Sequence, residues 1–112
     1  VESRFVPRRI LAFDVVEGAL RNERCFVQCA AGETPDGFRV DSEGNLWCGW
    51  GMGEGRDGVR VFAPDGTALL HIHLPERIAN VCFGGRHGNR LFMAGCRSLY
   101  SVFVNARGVA GG

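Results

Sequence analysis

The 112-residue sequence predicts an all-β fold of short antiparallel strands, and three observations carry that prediction. Seventeen glycines separate runs rich in Val, Leu, Phe and Trp, which is how a strand-and-turn chain punctuates itself. No segment shows the apolar period of an amphipathic helix. Two stretches recur at an interval of about 45 to 49 residues, the scale of a four-stranded repeat.

The expected strands, in chain order, are Ile10–Val15, Cys25–Cys29, Phe38–Asp41, Asn45–Trp50, Val59–Phe62, Ala68–Leu74, Asn80–Phe83, Arg90–Ala94 and Leu99–Val104. The segments Asp41-Ser42-Glu43-Gly44-Asn45 and Pro64-Asp65-Gly66 hold residues that preset a turn or tolerate positive φ, so their flanking strands read as hairpins. Leu70, Ile72 and Leu74 alternate with Leu69, His71 and His73, the period of two of a half-buried strand that lies towards the outside.

The repeat places Ile10-Leu11-Ala12-Phe13 over Val59-Arg60-Val61-Phe62, with 49 residues from Phe13 to Phe62. A second pair places Phe38…Gly44-Asn45-Leu46-Trp47 over Val81…Gly88-Asn89-Arg90-Leu91-Phe92, with 45 from Leu46 to Leu91. Four short strands per repeat of this length point to β-propeller blades. Residues 1–33 then end one blade, 34–75 form a full blade, 76–108 begin a closing blade and 109–112 are a tail. Such an arc covers about two to two and a half blades of a ring. It leaves apolar faces at both ends, to be covered by further blades or by further copies of the chain.

Composition narrows the function. A hydrophobic content of 46% supports a core. The 13 basic and 12 acidic residues are scattered, which gives no stripe to neutralise phosphates, so nucleic acid is not an expected partner. No apolar run approaches the length of about 20 residues that a spanning helix requires, so no membrane partner is expected either. The five cysteines, Cys25, Cys29, Cys48, Cys82 and Cys96, lack metal-knuckle spacing and read as reduced structural thiols, which suggests a cytoplasmic location. Val1 in place of an initiating Met fits an excised segment or a processed chain.

Thr34-Pro35-Asp36-Gly37-Phe38-Arg39-Val40-Asp41, followed by Gly44-Asn45-Leu46-Trp47-Cys48-Gly49-Trp50-Gly51, resembles the aspartate-bearing segment of the senescence marker protein/gluconolactonase/luciferin-regenerating family. The likeness continues through Leu74-Pro75-Glu76-Arg77, Asn80-Val81-Cys82-Phe83-Gly84-Gly85, Asn89 to Ala94 and Ser98-Leu99-Tyr100. The resemblance implies a six-bladed propeller in which a glutamate, an asparagine and an aspartate hold one divalent cation in the central channel. It also implies hydrolysis of sugar lactones to aldonic acids. Calcium is the first expectation for the ion, with zinc, magnesium or manganese as alternatives.

Only the aspartate has a match here, at Asp36, which the resemblance makes both a metal ligand and the general base. The glutamate and the asparagine come from regions of the family that this sequence does not include, so the site is incomplete and the segment is expected to be inactive without the missing blades. Taken alone, Pro35-Asp36-Gly37 reads as a plain turn, as do Asp57-Gly58 and Asp65-Gly66. A hard cation with oxygen ligands would polarise a lactone carbonyl, so one neighbouring base could suffice. No G-x-S-x-G nucleophile turn is present.

Asn80, at the repeat position equivalent to Asp36-Gly37, is a candidate to line the substrate pocket. Its other reading is a side chain bonded to the backbone where a strand begins. Trp50 is a candidate sugar-site wall, as is Trp47, although packing between blades is the commoner fate of such aromatics. His71 and His73 share a strand face but lack a third metal ligand nearby, and suit a water-facing edge. Arg39, Arg60 and Arg77 could each hold a sugar acid, yet charges at strand edges are ordinary. The alternative to a hydrolase is a non-catalytic propeller piece that serves in binding or assembly.

Overall fold

A computed structural model describes residues 7–109 and contains nine strands. Strands β1 (Arg9–Val16) and β2 (Ala19–Gln28) form a two-stranded sheet. Strands β3 (Thr34–Val40), β4 (Leu46–Gly51), β5 (Gly58–Phe62) and β6 (Ala68–His73) form a four-stranded meander. Strands β7 (Ile78–Gly84), β8 (Arg90–Gly95) and β9 (Leu99–Phe103) form a three-stranded one. Every pairing is antiparallel.

Three strands begin two or more residues earlier than the sequence pattern suggests. β2 starts at Ala19, not Cys25, because Glu17 and Gly18 both take positive φ (51° and 79°) and close a two-residue hairpin turn between Val16 and Ala19. A glutamate in that position carries no turn signal. β3 and β7 start ahead of Phe38 and Asn80 because each passes through a bulge, where the register shifts between Pro35 and Phe38 and between Ile78 and Asn80. Pro35-Asp36-Gly37 is therefore bulged strand and not a connecting turn, which corrects the residue-by-residue reading.

The three sheets stack through β4, whose six residues are all buried. By the strand's period of two, Leu46, Cys48 and Trp50 pack with Val27, Cys29 and Phe62, and with half-buried Ile10 and Phe26, between the first two sheets. Trp47 faces the other way and joins Val59, Val61, Ile78, Val81, Leu91 and Met93 between the second and third. Burying each large side chain here stabilises the fold by about 1.5–3 kcal/mol.

Gly49 lies on the same side as Trp47, and a Cβ there would run into the backbone carbonyl of Ile78. The close approach of the second and third sheets thus depends on glycine. Gly49→Ala is expected to cost about 1–3 kcal/mol in a urea melt. An unchanged midpoint would show that the two sheets do not meet as described.

Asp41 is a buried acid, 2% exposed, and its carboxylate organises the β3–β4 turn. Oδ1 accepts from the backbone N–H groups of Glu43 and Asn45, both at 2.9 Å. Oδ2 accepts from Asn45 Nδ2 at 3.0 Å and from Trp47 Nε1 at 2.9 Å. Burial alone pushes the acid's pKa up, but the hydrogen bonds from Trp47, Asn45 and Glu43 together outweigh it and hold the pKa below the ordinary aspartate value. A depressed folded-state pKa contributes stability above the unfolded value of about 3.9, and that stability is lost as pH falls through the folded value. The urea midpoint should therefore drop as the solution is taken below about pH 4. Asp41→Asn should be less stable at pH 7 and lose this part of the slope, whereas parallel pH profiles would contradict the role.

The two outer sheets keep apolar side chains in the open. Val15 and Leu20 are 73% and 62% exposed on the first sheet, as are Leu99 and Phe103 at 71% and 69% on the third.

Candidate active site

The first strands of the second and third sheets, β3 and β7, lie against one another, and their bulges fall at the same end. By register, Asp36 and Gly37 together lie opposite Gly49, and Ala79 is the extra residue between the Ile78–Gly95 and Asn80–Ala94 pairs, so each bulge falls near the start of its sheet's first strand. Bulges re-aim side chains and recur beside active sites. Both Asp36 and Asn80 are exposed.

Asp36 Oδ1 accepts from the Gly37 N–H at 3.0 Å, and among the described residues Oδ2 has no protein partner. The Asp36 carbonyl lies 3.5 Å from Cys48 Sγ. That thiol is fully buried behind the bulge, and burial pushes its pKa up to about 12, so it packs and does not react. Asn80 sits directly on Gly37, where a Cβ would overlap its side-chain amide, so glycine is what lets the asparagine stand beside Asp36. Asn80 Oδ1 accepts from the Val81 N–H at 2.9 Å and from Arg39 Nη1 at 3.5 Å. The bond to Val81 is a local side-chain-to-backbone contact inside β7.

Trp50 is 1% exposed and sandwiched between the first two sheets. Its indole N–H donates to Glu33 Oε2 at 3.1 Å, and its ring meets Phe62 with centroids 5.6 Å apart. This burial leaves it no face on which a sugar could stack, so the wall role anticipated for it gives way to packing. Trp47 is likewise buried, edge-on to Phe83 at 5.4 Å. His71 and His73 stack at 3.9 Å on the edge strand β6, away from the bulges.

The three arginines separate cleanly. Arg60 pairs with Glu33 at 3.2 Å, and Arg39 donates to the Phe38 carbonyl at 2.8 Å. Arg77, just before β7, projects into a cavity of about 600 Å³ at the same end as the bulges. The cavity is walled by the 51–57 loop, by Pro75 and Glu76, and by Cys96 to Tyr100. No sequence signal marked this cavity, because its walls come from three connections far apart in the chain.

A hard divalent cation would find one carboxylate in place, Asp36, exposed and held by a single hydrogen bond. Among the described residues no group of three or more His, Cys, Asp or Glu side chains gathers to hold a metal. The chain thus fits such an ion as one ligand and not as a complete set.

A family model described as SMP-30/Gluconolactonase/LRE-like region matches residues 5–97. Regucalcin of Danio rerio is 36% identical over 83 residues, which cover 72% of this chain and 28% of regucalcin. Lactonohydrolase oryH of Aspergillus oryzae is 32% identical over 104 residues, covering 92% of this chain and 21% of that protein. A gluconolactonase of Xanthomonas campestris superposes with a TM-score of 0.71 at 38% identity, over 83% of this chain and 29% of its own. A luciferin-regenerating enzyme shares the fold with a TM-score of 0.74 at 20% identity, over 91% of this chain and 40% of its own. The chain spans less than a third of the length of these two curated relatives. The chain, with its three successive antiparallel sheets of two, four and three strands, belongs to the SMP-30/gluconolactonase/LRE-like family of β-propellers.

Proposed function

We propose that this chain is part of a metal-dependent sugar-lactone hydrolase that opens a lactone to its aldonic acid, with Asp36 as a metal ligand and the general base. One observation carries the reading. In a chain of this family, the exposed Asp36 carboxylate stands on a bulge beside Asn80, half free, at the end of the sheets that holds the large cavity.

A divalent cation, when bound, would polarise the lactone carbonyl and acidify a bound water. Asp36 Oδ2 is free to take a proton from the attacking water as its oxygen bonds to the carbonyl carbon. The ring C–O bond then breaks, and Asp36 passes the proton it took from the water to the departing ring oxygen, which leaves as a hydroxyl. The Gly37 N–H fixes the other carboxylate oxygen, which holds the base in one orientation. Asn80 is a candidate to line the same pocket from the next blade.

The remaining ligands must come from outside this chain, from further blades or from further copies. Without them the segment is expected to be inert. The missing ligand set also favours a second reading, a non-catalytic propeller piece that serves in binding or assembly.

A pH-stat assay on glucono-1,5-lactone with the protein at its full natural length separates the two. Acid release that stops with chelator and returns with calcium, zinc, magnesium or manganese supports the hydrolase. Release at the spontaneous rate under all of these conditions supports the binding module.

A further inference from the structure

The cavity beside the bulges contains two arginines, Arg77 and Arg97, and two carboxylates, Asp57 and Glu76. Both carboxylates are already engaged by the walls. Glu76 accepts from the Tyr100 hydroxyl at 2.7 Å and from the Arg97 N–H at 2.8 Å. These bonds, Tyr100's first, hold its carboxyl below the ordinary range. Glu76 also rests on Gly95, where a Cβ would be 2.7 Å from its carboxyl carbon, so the wall is built to seat it. Asp57 Oδ1 accepts from the Gly53 N–H at 2.9 Å and closes the 51–57 loop.

Arg77 is left with sulfur. Its Nε lies 3.4 Å from Cys96 Sγ and its Nη1 3.5 Å from Met52 Sδ, and among the described residues no oxygen accepts from its guanidinium. Sulfur is a weak acceptor, whereas a planar guanidinium fork matches a carboxylate with two parallel bonds. Asp57 lines the same cavity yet forms no ion pair with Arg77. The residue is thus positioned over a cavity of a size that suits a small polar ligand, with no carboxylate of the wall paired to it.

We infer that Arg77 is a substrate-binding residue that holds the carboxylate of a sugar acid in this cavity. The chemistry of the anion rests on the lactone-hydrolase reading. The carboxylate has two possible sources, the one released when the ring opens or one carried at the far end of a uronic lactone, and a guanidinium fork would take either.

The test is nitrogen-15 NMR of the Arg77 Nε–H group in the protein at its full natural length. It would be titrated with sodium gluconate, with sodium glucuronate and with sodium chloride at matched ionic strength. A saturable shift with gluconate assigns the released carboxylate, and one with glucuronate alone assigns the far-end carboxylate. Arg77→Gln should weaken binding, followed through the Ser98 and Arg97 amides, by about tenfold or more. Arg77→Lys, which keeps charge but lacks the fork, should fall between the two. Absence of a saturable shift with either acid, or an equal response to chloride, overturns the inference. This readout needs no turnover, so a protein that binds gluconate through Arg77 yet hydrolyses nothing would refute the hydrolase reading and leave the site standing.

Discussion

Asp36→Asn is expected to lower lactone hydrolysis by about a thousandfold or more while the urea midpoint stays where it was. The substitution preserves shape, and an asparagine oxygen can still accept from the Gly37 N–H that now bonds Oδ1 at 3.0 Å. Asp36 is exposed and supports no core contact, so stability has little to lose. The negative charge and the proton-accepting oxygen are lost. Wild-type kcat/KM in a folded Asp36→Asn protein would remove Asp36 from the mechanism. A collapse of both stability and activity would make the residue structural instead.

The largest stability effect is expected at Trp50. Trp50→Ala removes a 1% exposed indole from the seam between the first two sheets, with its contacts to Phe62 and to the Arg60 guanidinium 5.2 Å above the ring. Large aromatic truncations in such packing cost about 3–5 kcal/mol. Glu33 would lose the indole N–H but keep Arg60 at 3.2 Å, so the loss should come mainly from the void. A change below about 1 kcal/mol by urea denaturation would mean that the indole does not fill this seam, and would reopen a surface role for it.

The nine strands were legible because glycine-bounded apolar runs and a repeat of about 45 residues report blade architecture directly. The apolar run from Leu46 to Trp50 could be seen as strand, but not which sheets bury its two faces, since that depends on the fold. The bulges at Asp36-Gly37 and Ala79 were hidden because a bulge is a relation between two strands, and Pro-Asp-Gly alone spells a turn. Glu17 in a positive-φ turn broke no visible pattern, so β2 was shortened at its start. Asp41 looked like one more turn aspartate, because the four donors that converge on it are set by the fold of the turn and by Trp47 behind it. Arg39, Arg60 and Arg77 were indistinguishable in sequence, and only their partners separate them. Asp36 stood out through its family context and not through local chemistry.

Calcium titration by calorimetry into the wild-type protein and its Asp36→Asn variant, both at full natural length, tests the central claim most directly. The account predicts saturable binding of one ion to the wild type and a loss of at least about a hundredfold in affinity in the variant. Equal affinity in the two proteins, with both folded, would contradict the placement of Asp36 in a metal site.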